Sequence, residues 1–344
     1  MNKIFKGVTT LAFALSAFNV SAANDVLNVY NWAEYMPTDV IKAFEKEYDV
    51  TINYSTFDNN ESMYTKLKLL DSKGYDVAFA STYFIEKMAR EGMLAKIDKS
   101  KMHYLNDIYS GLMKQPFDPN NDYSLPYVWG VTGISYNAEV ITSDQVTSWK
   151  DLWNTNFKQQ VMLLDDVRDV FGMALRAQGH SINSTNEAEI KQAYEKLRQL
   201  RSNVVVYNSD APHVPYVTGE AMVGMQWNGN AFMAQKEMPE LKFVYPTEGA
   251  ILWMDNFIIP KGSEHKDLAF KFIDFFMRPE NQAKIVEELG FPAPNKQAKQ
   301  FLPTELQNDP MIFPTDAQVD HGEFTDDVGD AVNIYQKYWQ MLKS

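Results

Sequence analysis

The residues of this 344-residue chain best able to do chemistry are aromatics and carboxylates, and they come in short mixed runs. Trp32, Ala33, Glu34 and Tyr35 form one run; Ser81 to Tyr83 form a second; Asp165, Asp166, Val167, Arg168 and Asp169 form a third. Trp227 to Asn230 and Trp253 to Asp255 are the fourth and fifth. Aromatic faces attract cations, and carboxylates pair with ammonium groups. A box made of both suits an alkylammonium ligand, whose methylenes need apolar walls and whose nitrogens need acceptors. A sugar site would use the same rings with fewer acids, and a ferric site would cluster tyrosines with carboxylate or histidine. Singly, each run has a bland explanation. A lone Trp after a strand packs the core or its rim, and an Asp at a helix start, such as Asp166, caps it. Five runs at equivalent places in the pattern argue for a site.

Nothing singles out catalysis. G-x-S-x-G, H-E-x-x-H, P-loop and G-x-G-x-x-G motifs are all missing. The five histidines, His103, His180, His213, His265 and His321, are scattered without ligand spacing. The chain has no cysteine, which removes disulfides, thiolate nucleophiles and Cys-ligated zinc. No metal and no cofactor are expected. An acid/base carboxylate pair stays open, because Asp and Glu are abundant. The net charge is −13, which argues against nucleic acid and anionic lipid as partners. It fits both plain solubility and the steering of a cationic ligand.

Those runs must be positioned by the elements around them. Positions 27–31, 50–55 and 75–80 read as strands. Positions 38–48, 61–70 and 84–91 read as helices, the first with Val40, Ile41 and Phe44 on one side and the second capped by Asn60. The order repeats with strands at 161–164, 204–207, 221–227 and 243–245. Helices are expected at 169–178, 187–201, 267–277, 279–288 and 328–342. Alternating β and α segments imply an α/β fold with mainly parallel sheets flanked by helices. No Gly/Ser-rich or Pro-rich linker separates two halves, so two lobes would be joined by strands that cross between them. Ligands of such sheets sit at the C-terminal strand ends, which here would line a cleft. At the N-terminus, Lys3 and Lys6 precede an apolar run over 8–18 and small residues at 20–23. A signal peptide over 1–23 is expected, cut after Ala22 or Ala23, because the run is too short to span a bilayer. No Cys follows it, so export without a lipid anchor is expected.

The runs extend into longer stretches by which the chain resembles the periplasmic spermidine/putrescine-binding proteins of polyamine ABC transporters. They read YNWAEY, YDVAFASTYF, PFDPNNDYSLPYVWG, TSWKDLW, LLDDVRDVFGMALR, MQWNGNAF, WMDNFIIP, FPAPN and DVGDAVNIYQKYW. The resemblance covers nearly all of the chain after residue 23. It implies a two-lobed type II periplasmic-binding fold. One lobe would hold 24–131 plus 254–299, the other 132–253 plus 300–344. It also implies a non-enzymatic periplasmic receptor, a monomer, that captures polyamine (spermidine preferred, putrescine also) for a membrane permease and its ATPase. A receptor of the same fold for a sugar or ferric ion, and a cleft enzyme using paired carboxylates, remain the alternatives.

Carried over by position, Trp32, Tyr35, Trp227 and Trp253 would be aromatic walls. Glu34 would accept a terminal ammonium, and Ser81 and Tyr83 would be polar and aromatic contacts. Asp166 and Asp169 would form an acidic pair at the far end, and Ser209 would be a further contact. Asp255 would partner the inner or secondary amine. Weaker contacts would come from Ala33, Val167, Arg168, Phe291 and Thr325. The chain departs from spermidine-binding members at Ala33, Asp169, Phe291 and Thr325, where they carry Thr, Glu, Tyr and Gln. Asn230 is neutral where putrescine-specific members carry an acid, which leans toward spermidine.

Overall fold

A computed structural model describes residues 25–33 and 35–344. The expected signal segment and Glu34 lie outside the described residues. The chain opens with β1 (Asp25–Trp32), α1 (Thr38–Tyr48), β2 (Val50–Phe57), α2 (Asn60–Leu69), β3 (Val77–Ser81) and α3 (Thr82–Arg90). α1 buries Val40 and Phe44 and stops at Asp49, whose left-handed φ of 54° turns the chain directly into β2. The cap of α2 differs from the expected one. Asn59 supplies it, accepting from the Ser62 amide, while Asn60 lies inside the first turn and is buried.

β4 (Ser124–Asn137) follows a long irregular stretch. Next come β5 (Val161–Leu163), α4 (Val167–Arg176), α5 (Glu187–Leu200), β6 (Val204–Tyr207), α6 (Val214–Val217), β7 (Val223–Trp227) and α7 (Asn228–Glu237). α4 begins two residues before the expected start, because the Asp166 carboxylate accepts the amides of Arg168 and Asp169 and closes the first turn. The chain ends with β8 (Leu241–Val244), β9 (Ile251–Ile258), α8 (Lys266–Phe276), α9 (Pro279–Leu289), α10 (Asp316–His321), β10 (Glu323–Phe324) and α11 (Val332–Lys343).

The described strands form one sheet in the order β2-β1-β3-β9-β4-β7-β5-β6, with β8 paired to β4 and β10 to β9. Both ends are parallel, as expected: β1 runs with β2 and β3, and β5 with β6 and β7. The middle is antiparallel, because β9 opposes β3 and β4, and β4 opposes β7. These two strands pass from one half of the molecule to the other. β4 pairs with β9 from Ser124 to Thr132 and with β7 from Thr132 to Tyr136.

Two separate cores sit on either side of this crossing. One gathers Leu27, Val29, Phe44, Phe79, Phe257 and Phe272. The other gathers Phe171, Leu197, Met225 and Tyr335. α9 serves both: Ile285 and Leu289 pack into the first core, Ala283 and Val286 into the second. The result is a two-lobed α/β fold of type II with the crossing strands as the seam.

Candidate functional site

The C-terminal ends of β1, β3 and β7, the start of α4 and the middle of β9 converge on a cleft between the lobes. It has about 890 Å³ of space, its open mouth included. Trp32, Ala33, Tyr35, Ser81 and Tyr83 line it from one lobe, and Asp166, Arg168, Asp169, Ser209 and Trp227 from the other. Trp253 and Asp255 enter from β9, and Phe291 and Thr325 from later segments. Val167 does not line this cleft. It borders an adjoining hollow with Glu61, Asp165, Gln336 and Trp339, and is otherwise buried in the second core.

The carboxylates are held by donors that also belong to the cleft. The Tyr35 hydroxyl donates to Asp255 Oδ2 at 2.7 Å and Ser81 Oγ donates to Asp255 Oδ1 at 2.5 Å. Thr132 Oγ1 donates to Asp169 Oδ1 at 3.1 Å, and the Trp227 indole N–H donates to Asp169 Oδ2 at 2.8 Å. Tyr35 and Trp227 therefore fix an acid as well as forming a wall. The rings lock one another edge-on: Trp253 lies 5.1 Å from Phe291 and 6.3 Å from Trp227, and Phe291 lies 5.7 Å from Tyr35. Such an arrangement leaves little rotamer freedom to lose when a ligand arrives.

Two side chains expected as weaker contacts have structural partners as well. The Arg168 guanidinium donates to the Asp326 carbonyl at 3.0 Å and to Asn183 Oδ1 at 2.8 Å, between the rings of Tyr83 and Tyr335. It is 2% exposed and braces the cleft floor. The Thr325 carbonyl accepts from Thr82 Oγ1 at 2.6 Å, which ties the segment after β10 to α3.

Burial sets the electrostatics. It pushes the Asp255 carboxyl up to about 6, against the pull of the Ser81 and Tyr35 hydrogen bonds. Burial, then repulsion from Asp166, raises Asp169 to about 8. Asp166 is raised by burial despite the two amides it accepts. The pair cannot both ionise at low cost without a cation between them. Across the mouth, Gln336 Nε2 donates to Glu61 Oε1 at 2.8 Å, and Arg90 approaches Asp327 at 3.9 Å. The lobes thus touch, and the arrangement is a closed one.

Phe57, Asp58, Asn60, Asp210, Pro212, Met233 and Leu289 also line the cleft and were not singled out from sequence. Asp58 directly follows β2 and Asp210 lies just beyond β6, so the strand-end rule, applied to every strand, would have found both. Pro212, Met233 and Leu289 carry no signal of their own.

Two α/β lobes, two strands running through both, and a ligand-sized cleft at the seam define the class of two-lobed solute receptors. The chain belongs to the bacterial extracellular solute-binding proteins, whose family model matches residues 39–315. It is 44% identical to the spermidine/putrescine-binding periplasmic protein of Salmonella typhimurium, over 97% of this chain and 96% of that one. It is 43% identical to the protein of the same name in Escherichia coli, over 97% of each. Among solved structures it resembles the spermidine/putrescine ABC transporter substrate-binding protein PotD from Streptococcus pneumoniae. That match has a TM-score of 0.79 at 32% identity, covering 93% of this chain and 100% of the other.

Proposed function

We propose that the protein is a periplasmic receptor that captures a polyamine between its lobes, spermidine in preference to putrescine, and passes it unchanged to the permease and ATPase of an ABC importer. The observation that carries this reading is the composition of the cleft. Five carboxylates (Asp58, Asp166, Asp169, Asp210 and Asp255) share it with seven aromatic rings, and its one cationic side chain among the described residues, Arg168, has both terminal nitrogens turned to the Asp326 carbonyl and the Asn183 amide. Such a lining neutralises ammonium groups and covers methylenes, whereas it would leave a carboxylate ligand unpaired. The names of the relatives agree. Export by the segment 1–23 without a lipid anchor, a monomeric state and binding without turnover belong to the same proposal. So do lobes of 24–131 plus 254–299 and 132–253 plus 300–344. The separation of the two cores supports that division, although Ala283, Val286, Ala293 and Ala298 pack with the second core and Trp253 with the first.

A thermal-shift panel tests the reading. A ligand that binds only the folded state at one hundred times its Kd adds about 2.7 kcal/mol of stability. Spermidine and putrescine should therefore raise the melting temperature, spermidine more, while maltose and ferric citrate leave it unchanged. A response to sugar or iron without one to polyamines would overturn it.

The ring walls make a second prediction. Gly130 in β4 faces Trp253 in β9, and a Cβ there would lie 2.4 Å from Trp253 Cζ2 and 2.9 Å from Asn228 Oδ1. Gly130→Ala must push the indole into the cleft, at a cost of about 1–3 kcal/mol. Spermidine affinity should fall about tenfold or more, measured by calorimetry, while circular dichroism keeps the native helix signal. Unchanged affinity would mean that Trp253 is not a wall of the bound ligand.

A further inference from the structure

Asn60 is 1% exposed, and its amide is directed at the cleft's own side chains. Chemistry fixes its orientation. The backbone N–H of Ser81 can only donate, and it lies 3.1 Å from Oδ1, so Nδ2 occupies the other side. The two hydrogens of Nδ2 match two acceptors: Ser81 Oγ at 3.0 Å and the Tyr83 hydroxyl at 2.9 Å. A serine hydroxyl that accepts on that side has its own hydrogen free for another partner. Asp255 Oδ1 stands 2.5 Å from Ser81 Oγ. Tyr35 closes the other oxygen of Asp255 at 2.7 Å.

We propose that Asn60 is a positioning residue for the polyamine site: by filling an acceptor lone pair on Ser81 and on Tyr83, it aims the Ser81 hydrogen at Asp255 Oδ1 and holds that carboxylate ionised in one rotamer for an ammonium group. The identity of the ligand rests on the polyamine reading; the direction of the hydrogen-bond chain does not. The titratable groups that act on Asp255 are Tyr35 before α1, Tyr127 on β4 and Asp166 at the start of α4. Both tyrosines are buried and pushed well up, so they stay neutral, and Asp166 repels. The Ser81 and Tyr35 hydroxyl hydrogens are therefore what favours the charged form of Asp255 against burial, Ser81 first, and Asn60 contacts the Ser81 hydroxyl.

Carboxyl carbon NMR of the ligand-free protein reads this directly. Asn60→Ala and Ser81→Ala should each raise the titration midpoint of Asp255, by about one pH unit. The double variant should titrate like Ser81→Ala alone, because Asn60 acts through that hydroxyl. An unmoved Asp255 in Asn60→Ala, or additive shifts in the double variant, would overturn the proposal. Asn60→Asp, nearly the same size, supplies the binding arm. If Asn60 were only a polar wall, the added carboxylate would tighten spermidine binding. In the positioning account it accepts the Ser81 hydrogen itself and draws it from Asp255, so affinity falls about tenfold. Tighter binding would contradict the proposal. Failure of the wild-type protein to bind spermidine would sink the polyamine reading, and the NMR result would still decide the role of Asn60.

Discussion

Asp255→Asn is expected to weaken spermidine binding by roughly two to three orders of magnitude while leaving the ligand-free protein at least as stable as before. An ammonium enclosed by Trp253, Phe291 and Tyr35 has no water to replace a missing counter-charge. Removing one partner of such a buried pair costs about 3–5 kcal/mol, and each 1.4 kcal/mol is a factor of ten in Kd. In the empty cleft the sign reverses. Burial has raised the Asp255 carboxyl to about 6, so at neutral pH its ionised form stands roughly 3 kcal/mol above that of a solvated aspartate. The amide removes that penalty and gives back part of it through a poorer match to the Tyr35 and Ser81 hydroxyls. Thermal unfolding with and without spermidine separates the two effects. The variant should melt no lower than wild type without ligand and show almost no ligand-induced rise. An intact fold whose affinity changes less than about threefold would mean that Asp255 is not the ammonium partner.

Capture of spermidine at pH 7 should release about one proton per protein molecule. Burial and then repulsion from Asp166 raise Asp169 to about 8, and burial raises Asp166 in the same direction, so the empty pair holds a proton at neutrality. An arriving ammonium favours both carboxylates in their charged form and expels it. Over the window from about 4 to about 8 the folded protein binds more protons than the unfolded chain at Asp169 and Asp255. The stability of the empty protein therefore falls as pH rises through that window. Affinity runs the other way: it rises over the same range and is lost as pH falls through about 6, where Asp255 takes up its proton. Calorimetric titration in two buffers with different ionisation heats reads the release. Equal heats in both, with an affinity flat between pH 6 and 8, would contradict the assignment of the acidic pair to a cation.

Much of this was legible in the sequence because strand ends are marked by chemistry. Trp32, Ser81 and Trp227 each end a strand, and a parallel sheet gathers such ends at one edge; Asp255 reaches the same place from the middle of the antiparallel β9, as an acid inside an apolar run. Asp166 shows why one residue resists a single reading: it caps α4 and lines the cleft at once. β4 was the element least visible. Its 14 residues contain Pro126 and Gly130, which weaken a strand signal, and its length follows from serving both lobes. The same crossing turns the middle of the sheet antiparallel, which no local pattern announces. Asn60 reads as a cap from sequence because its neighbour Asn59 has the same side chain; only the approach of β3 shows which of the two caps α2 and which is buried. Arg168 looked like part of an acidic run, and its role as a brace depends on Asn183 and Asp326, which are distant in sequence.

That the cleft takes a polycation as its cargo can be read from heats of binding. Isothermal titration of the ligand-stripped protein with spermidine tests it most directly, with putrescine and maltose run in parallel. A saturable heat at one spermidine per chain is expected, with weaker binding of putrescine and no heat from maltose. No binding of either polyamine, or saturable binding of maltose in their place, would contradict it.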